Sequence, residues 1–179
     1  MLEQLTHYLL QAKHVVVFTG AGMSTESGLP DFRSKFRGLW QKFNPDELAN
    51  VHALKHNKEE FTQFYRYRLQ ELHKYKPHVG HKILAKWEKI GYVKAIITQN
   101  VDTFHHEAGN ENVFELHGSF RSFHCHECKK VYERESYFAG QDTCDCGGTI
   151  RPGIVLFGEL LPEDAFINAE KHARQADLF

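Results

Sequence analysis

The segment VVVFTGAGMSTESGLPDFR, residues 15–33, constrains the fold of this chain more than any other stretch. Four apolar residues, from Val15 to Phe18, run directly into a turn that contains Gly20 and Gly22. Short apolar runs rich in valine are typical of strands buried on both faces of a parallel sheet. Glycines after such a strand let the backbone approach a ligand closely. The segment therefore predicts the first strand and turn of a nucleotide-binding α/β domain.

The turn lacks one part of the usual dinucleotide-binding fingerprint, G-x-G-x-x-G. Thr25 occupies the position where the third glycine would fall. We expect Ser24 and the residues after it to open a helix whose free N–H groups face a pyrophosphate. A proline then ends that helix, which predicts that Asp31, Phe32 and Arg33 lie in a loop that closes over a ligand. Alternatively, Phe32 fills the core and Asp31 pairs with Arg33 at the surface.

Three further apolar runs extend this strand into a sheet; they are Tyr92–Ile97, Val113–Leu116 and Ile154–Phe157. Residues 1–14 are predicted to form an amphipathic helix with one face made of Leu2, Leu5, Leu9 and Ala12. Between the first two strands, one predicted helix carries Phe61, Tyr65, Leu69, Leu72 and Tyr75, and the next carries Ile83, Leu84, Trp87 and Ile90 before a stop at Gly91. Alternating strands and helices predict an open, parallel, Rossmann-like α/β sheet with helices on both faces.

Polar or glycine-bearing residues follow each apolar run, as TGAGMS, TQNVD, HGS and GE. Because ligands of open α/β sheets bind beyond the carboxyl ends of the strands, we expect these four strand ends to line one crevice. Gln99 and Asn100 supply amides, and Asp102 a carboxylate, that can hold ribose hydroxyls and a carboxamide. Alternatively, Asp102 only caps a helix. His117 is a candidate general base because imidazole titrates near neutral pH, although a histidine at a strand end can also be structural.

The four cysteines all lie between positions 125 and 146, as Cys-x2-Cys followed by Cys-x-Cys. Four thiolates in two close pairs match a tetrahedral zinc site, and a complete set of four ligands leaves no open position for catalysis. We therefore predict one structural zinc ion in a module at residues 121–149, inserted between two parts of a Rossmann-like domain at 1–120 and 150–179. The predicted ligands are Cys125, Cys128, Cys144 and Cys146, with His124 and His126 as conceivable substitutes.

Charge and composition exclude several classes of partner. The formal net charge of −1 argues against a protein that coats nucleic acid, because that affinity requires clustered lysine and arginine. No apolar stretch approaches the ~20 residues needed to span a bilayer, so no membrane partner is expected. Clustered cysteines without an export signal indicate metal ligation in the cytoplasm. The basic residues near the cysteines are expected to solvate the module, with nucleic-acid binding as the alternative; they are Arg121, Lys129, Lys130 and Arg134.

The chain resembles the sirtuins, which are NAD-dependent protein lysine deacylases. The resemblance rests on GAGMSTESGLPDFR, TQNVDTFHHEAG, HGS, the four-cysteine module and RPGIVLFGE, which occur in family order across residues 15–159. It implies that NAD is consumed as a co-substrate rather than used as a hydride carrier, in accord with the missing third glycine. It also implies that acylated-lysine proteins or peptides are the substrates, and that nicotinamide, free lysine and O-acyl-ADP-ribose are the products.

The same resemblance implies a role for each matching residue. His117 would be the general base that deprotonates a ribose hydroxyl, after the acyl oxygen has attacked the ribose carbon and nicotinamide has left. Phe157, Gly158 and Glu159 would border the acyl-lysine channel. The NAD pocket would contain Gly20, Ala21, Gly22, Thr25, Asp31, Phe32, Arg33, Gln99, Asn100, Val101 and Asp102.

Tyr65 and Arg68 bear on which acyl group is removed. They lie three residues apart on a predicted helix and so project from neighbouring positions. In sirtuins that prefer succinyl- or malonyl-lysine, a Tyr-x-x-Arg pair binds the acyl carboxylate, which implies the same role here. Those relatives usually carry threonine at the position of Asp31. Alternatively, Tyr65 packs in the core and Arg68 lies on the helix surface.

The chain departs from the sirtuin pattern at two places. Phe104 stands where many relatives have leucine. The chain also ends before the final strands of the family, so we expect an exposed sheet edge and an inactive or poorly folded polypeptide unless further residues complete it. Two alternative functions are an ADP-ribosyltransferase or NAD hydrolase, which would use the same ribose activation, and a non-enzymatic binding module stabilised by zinc.

Overall fold

A computed structural model of the chain describes residues 2–29 and 44–179. The predicted loop residues Asp31, Phe32 and Arg33 lie outside the described residues, so their roles stay predictions. The elements follow the order α1 (Leu2–Gln11), β1 (Val15–Thr19), α2 (Gly22–Thr25), α3 (Pro45–Leu48), α4 (Val51–His56), α5 (Lys58–Leu72), α6 (Val79–Lys89), β2 (Val93–Thr98), α7 (Phe104–Ala108), β3 (Val113–Glu115), β4 (Gly118–Cys125), β5 (Val131–Tyr132), α8 (Arg134–Phe138), β6 (Ile150–Ile154) and α9 (Glu163–Gln175).

The first sheet contains three parallel strands in the order β1-β2-β3. Its strands form at the first three apolar runs of the sequence, where β-branched side chains suit a pleated, buried surface. Parallel neighbours need a long crossover connection, and the helices between β1 and β2 supply it. The predicted parallel, Rossmann-like α/β sheet is therefore confirmed.

Helices cover both faces of this sheet because successive side chains of a strand point to opposite sides. On one face, Val15 and Ile96 pack against α1 and α6 through Leu9, Ala12, Leu84 and Trp87. On the other face, Val16 and Ile97 pack against α9 through Ala169 and Ala173. Within the described part of the chain, no helix is long and apolar enough to cross a membrane.

Only two of the four apolar residues named for the α6 segment pack against the first sheet. Leu84 and Trp87 pack against the sheet as expected, but Ile83 and Ile90 are 42% and 56% exposed. The buried position that the apolar pattern missed is His81, which is fully buried against the rings of Phe104 and His105. A polar side chain thus takes a core position, and the buried face of the helix is rotated from the one that apolar residues alone indicate. By contrast, the predicted face of α5 is buried through Phe61, Tyr65, Leu69 and Leu72.

The second sheet is antiparallel, with the strand order β5-β4-β6. The prediction that Ile154–Phe157 forms a fourth parallel strand is wrong. Only Ile154 belongs to a strand, β6, and residues 155–157 form an irregular segment in which Phe157 makes an isolated bridge with Asn50. The run is apolar because Ile154 and Leu156 are buried in the core that α5 shares with the second sheet. Burial of that kind does not require strand pairing.

The two sheets meet at Gly118, where β4 begins shortly after β3 ends. Gly118 has a φ of +70°, and a Cβ atom at this position would overlap the carbonyl oxygen of Gly153 in β6. Only glycine combines this backbone conformation with this close approach at little cost. The glycine that follows His117 therefore lets the chain turn directly from the first sheet into the second.

Candidate functional site

The glycine turn after β1 and the amide loop after β2 lie against each other, as the sequence predicts. The Gln99 amide N–H donates to the Thr19 carbonyl at 3.0 Å, and Asn100 Nδ2 donates to the Gly20 carbonyl at 2.9 Å. A Cβ atom at Gly20 would lie 3.3 Å from Gln99 Oε1, so the approach of the two segments is tight. The carboxyl ends of two neighbouring parallel strands thus form one polar edge.

Ser24 joins this edge to the acidic residue of the loop. Its hydroxyl donates to Asp102 Oδ2 at 2.6 Å and accepts from Asn100 Nδ2 at 3.3 Å. The side chain is almost completely buried in α2, a helix of one turn. Sequence analysis placed Ser24 only at a helix start and missed this role, because its partners lie 76 and 78 residues away in the chain.

Asp102 binds the start of a helix, the alternative considered from the sequence, while its contact with ribose or carboxamide stays a prediction. One carboxylate oxygen accepts from Ser24 and the other from the backbone N–H of Phe104 at 3.0 Å, at the start of α7. Burial raises the pKa of the Asp102 carboxyl above its ordinary value, whereas the two hydrogen bonds act to lower it. Thr103, the next residue, has a left-handed φ of 74°. Backbone strain of this kind is typical of functional loops, and here the fixed carboxylate holds the loop in place.

His117 is oriented by the same loop. Its Nδ1 lies 2.9 Å from the carbonyl oxygen of Gln99. Because a carbonyl only accepts, Nδ1 carries the proton in the neutral ring and Nε2 keeps its lone pair. The backbone carbonyl of His117 in turn accepts from the Val155 N–H at 2.8 Å. The structure therefore brings the candidate base, the amide loop and the glycine turn together, and gives the base the tautomer that its role requires.

Buried histidines lie beneath the strand ends, and sequence analysis did not identify them. His105 Nε2 lies 3.0 Å from Thr19 Oγ1, which lies 2.8 Å from Thr98 Oγ1. Thr98 Oγ1 also accepts from the Asn100 backbone N–H at 3.1 Å. Burial lowers the pKa of His105 and of the neighbouring His81 to about 4, so both rings are neutral near pH 7. Thirteen histidines in the chain gave no sequence signal to single out these two.

The predicted substrate segment, residues 157–159, follows Val155, whose N–H donates to the His117 carbonyl. Phe157 is 58% exposed, and Gly158 has a φ of +94°. The Glu159 carboxylate is not free, because it forms a two-point ion pair with Arg151 at 2.5 and 3.0 Å. Burial acts to raise the pKa of Glu159, but Arg151 and the Leu156 N–H lower it below its usual range. Arg151 was not identified from the sequence.

Tyr65 and Arg68 lie together within α5, as their spacing predicts. Tyr65 is buried, and burial raises its pKa to about 12. The Arg68 guanidinium lies 5.3 Å from the ring centre of Phe120, 5.5 Å from Phe64 and 5.7 Å from Tyr65. Burial lowers the pKa of Arg68, whereas Tyr65 acts to raise it. Arg68 is thus enclosed by aromatic rings, and within the described part of the chain no carboxylate forms an ion pair with it.

The four cysteines form one cluster at the end of the second sheet. Their sulfur atoms all lie within 4.8 Å of one another, with 3.6 Å between Cys125 and Cys146 and between Cys128 and Cys144. A zinc ion with Zn–S bonds of about 2.3 Å requires sulfur–sulfur separations of about 3.8 Å, so the site fits one structural zinc. His124 and His126 are not members of this cluster. A Cβ atom at Gly148 would lie 2.6 Å from Cys125 Sγ, so a glycine is needed beside the ligand.

The basic residues near the cysteines bind to the module's own surroundings. Lys130 pairs with Asp145 at 2.6 Å, and Arg121 pairs with Glu115 at 3.3 Å. Lys129 Nζ donates to the His126 carbonyl, and Arg134 Nη2 lies 3.0 Å from His73 Nε2. Each of these four basic side chains thus has a partner within the chain.

Comparison with known proteins supports the resemblance seen in the sequence. The model of the Sir2 family matches residues 20–179. The NAD-dependent protein deacetylase 1 of Geobacillus kaustophilus (strain HTA426) is 55% identical over 175 residues, which cover 98% of this chain and 72% of that protein. Two solved structures are also similar. A Sir2 homolog–NAD complex matches with a TM-score of 0.88 and 40% identity, over 98% of this chain and 69% of the other. A Sir2–p53 peptide–NAD+ structure matches with a TM-score of 0.86 and 35% identity, over 98% and 72%.

Proposed function

The chain belongs to the Sir2 family, and on that premise we propose that it removes acyl groups from protein lysines with NAD as the co-substrate. The observation that carries the proposal is the position of His117, whose Nδ1 is bound by the Gln99 carbonyl at 2.9 Å. An imidazole whose Nε2 has no partner among the described residues thus lies beside a glycine turn and an amide–acid loop. This arrangement supports proton removal from a hydroxyl of a bound nucleotide.

NAD supplies an activated ribose carbon from which nicotinamide leaves and to which the acyl oxygen becomes bonded. His117 Nε2 accepts the proton of a ribose hydroxyl, and the Gln99 carbonyl stabilises the resulting imidazolium through Nδ1–H. The Ser24 and Asn100 side chains keep the loop around Asp102 in a fixed form. Fixed groups of this kind reduce the reorganisation that the transition state requires.

The other NAD contacts are assigned as part of the same proposal. Gly22, Thr25 and Gln99 are exposed at the polar edge, and Ala21 and Val101 are half-buried there, so all five are accessible to a nucleotide. Gly20 gives the turn its close approach to the amide loop. Phe157, Gly158 and Glu159 border the acyl-lysine channel, with Glu159 acting through the shape of the segment rather than through a free carboxylate. Residues 121–149 form the zinc module, and the rest of the chain binds the nucleotide.

A product assay with NAD and an acetyl-lysine peptide tests the proposed function. We expect the chain, extended by the C-terminal strands that the sirtuin resemblance implies, to release one nicotinamide and one O-acetyl-ADP-ribose for each peptide deacetylated. An NAD hydrolase would release nicotinamide without deacetylating the peptide, and an ADP-ribosyltransferase would transfer ADP-ribose to a protein. A non-enzymatic zinc module would bind zinc and show no NAD-dependent chemistry. Any of these three results would contradict the proposal.

Tyr65 and Arg68 are proposed to select acidic acyl groups. A guanidinium enclosed by aromatic rings without a described carboxylate partner would gain an ion pair from a succinyl group. Removing one member of such a buried pair costs about 2–5 kcal/mol. We therefore expect Arg68→Met to lower kcat/KM for a succinyl-lysine peptide by roughly 30-fold or more and to leave the acetyl-lysine peptide within about twofold. If Arg68→Met and the unsubstituted protein have equal kcat/KM for the succinyl-lysine peptide, Arg68 has only a packing role.

The proposed partners are acylated-lysine proteins, and the proposed location is the cytoplasm. A four-cysteine metal cluster supports a reducing compartment, because an oxidising one favours disulfides. Nucleic acid is not a proposed partner, because the basic residues of the zinc module have intramolecular partners.

A further inference from the structure

Arg151 is a buried charged residue to which neither the nucleotide site nor the zinc site gives a role. It lies in β6, and its side chain is 2% exposed. Its Nε donates to the Pro152 carbonyl at 3.2 Å, and Nη2 donates to the Ile154 carbonyl. Nη1 and Nη2 pair with the two carboxylate oxygens of Glu159. All three donor nitrogens of the guanidinium are therefore used: they bind two carbonyls of β6 itself and the Glu159 carboxylate in the segment that follows.

Glu159 closes a turn in this segment through two hydrogen bonds to Leu156. Its carboxylate accepts from the Leu156 N–H at 2.8 Å, and its own N–H donates to the Leu156 carbonyl at 3.0 Å. Gly158 has the left-handed φ that lets the chain reverse between these two residues. Residues 155–159, which we call the FGE loop, thus form a turn that an ion pair to the buried Arg151 helps to hold.

The FGE loop also contacts the candidate base and the helical part of the core. Val155 N–H donates to the His117 carbonyl at 2.8 Å. Phe157 N–H donates to the Ala49 carbonyl at 2.9 Å, and its own carbonyl accepts from the Val51 N–H at 3.2 Å. A change in the conformation of the loop would therefore move the exposed Phe157 and the backbone of His117.

Arg151 links the FGE loop to the cysteine cluster on its other side. In the ladder between β4 and β6, Arg151 pairs with His124, and the neighbouring Ile150 pairs with Cys125, one of the four zinc ligands. The backbone of Arg151 is thus paired with the strand that carries Cys125, while its guanidinium binds the loop that borders the proposed substrate channel. A fixed strand on one side and a two-point ion pair on the other leave the loop little freedom.

We propose that Arg151 is a positioning residue for the acyl-lysine peptide. Through Glu159 it fixes the FGE loop in the form that receives the peptide, and its loss weakens peptide binding while NAD binding is retained. The proposal rests on the proposed function, because it assumes that the FGE loop borders the peptide. Arg151, a residue of the second sheet, would then influence the affinity for the peptide substrate.

The test compares steady-state constants of Arg151→Met with those of a matched control, Arg174→Met. Arg174 forms an exposed pair with Glu170, so its removal is expected to change nothing. Because small displacements of substrate-positioning groups cost up to about 100-fold, we expect Arg151→Met to raise KM for an acetyl-lysine peptide by roughly 10- to 100-fold. KM for NAD and zinc content are expected to stay within about twofold of the unsubstituted protein, since the strand ends and cysteines are untouched.

A double variant separates positioning from folding. Arg151→Met with Glu159→Met removes both charges, and replacing a whole buried ion pair by apolar residues is often neutral for stability. We expect the double variant to fold and to keep the raised peptide KM. A double variant that folds with an unchanged peptide KM would overturn the proposal, because the ion pair would then matter only for stability.

Hydrogen exchange keeps this result independent of the assay for function. We expect the amides of Val155 and Leu156 to lose protection in Arg151→Met and in the double variant but not in Arg174→Met. If the unsubstituted protein does not deacetylate, the proposed function fails, and the positioning role fails with it even if the exchange pattern appears. If it deacetylates and both the exchange pattern and the peptide KM are unchanged by Arg151→Met, only the positioning role fails.

Discussion

Replacing His117 by alanine is expected to abolish most of the deacetylation activity. General-base catalysis contributes about 10²- to 10⁴-fold to a rate, so we expect kcat to fall by about that factor. The reason is geometric: Nδ1 is bound by the Gln99 carbonyl, and no described neighbour takes the place of the free Nε2. The measurement is nicotinamide and O-acetyl-ADP-ribose release under saturating NAD and acetyl-lysine peptide.

Two controls make this result specific to the base. The exposed His7 on α1 lies outside the site, and His7→Ala is expected to retain full activity. NAD affinity and zinc content of His117→Ala are expected to match those of the unsubstituted protein, because no hydrogen bond to the cysteine cluster or the glycine turn is lost. A His117→Ala variant with kcat within threefold of the starting value, on the order of 0.6 kcal/mol, would reject the assignment of the base.

Loss of the zinc ion is expected to unfold the second sheet and to remove activity with it. Structural zinc contributes about 10–16 kcal/mol of apparent binding free energy in small zinc domains. A whole domain is stable by only about 5–15 kcal/mol, so the protein cannot lose that contribution and stay folded around the site. Cys125 is the most informative position because its sulfur is fully buried. We expect Cys125→Ser to bind less than one zinc per chain and to lose deacetylation, and chelation of the unsubstituted protein to do the same.

His126→Ala is the matched control for this prediction. His126 is adjacent to the ligand Cys125 but is not in the cluster, so the variant is expected to keep one zinc per chain. Zinc is measured by release to a colorimetric chelator, and folding by circular dichroism with restoration on adding zinc back. One retained zinc in Cys125→Ser, or a lost zinc in His126→Ala, would contradict the four-cysteine site.

The features that could be predicted from the sequence are those that depend on residues close together in the chain. The valine run before Gly20 and the spacing of the cysteines each depend on neighbours within a few positions, and both appear in the structure as expected. His117 could be identified because its strand end belongs to the same edge as the amide loop. Tyr65 and Arg68 could be placed together because a helix fixes the spacing of its own side chains.

The features that could not be predicted depend on contacts between distant segments. Ser24 meets Asp102 across 78 positions of the chain, and nothing near either residue marks the pair. His81 takes a core position that the apolar pattern assigns to other residues of α6. The run at Ile154–Phe157 was interpreted as a strand because apolar residues are the signal for burial, and burial alone does not distinguish a paired strand from a buried loop.

The position of residue 117 at the point where one sheet passes into the other has a mechanical consequence. Gly118 makes this passage tight, so His117 is held from both sides: its Nδ1 by the Gln99 carbonyl just after β2, and its backbone carbonyl by the Val155 N–H just after β6. If the two sheets rotated relative to each other at Gly118, the imidazole of His117 would move before the packing of either sheet changed. A crosslink between the two sheets near Gly118 is therefore expected to change turnover without altering any contact with NAD or the peptide.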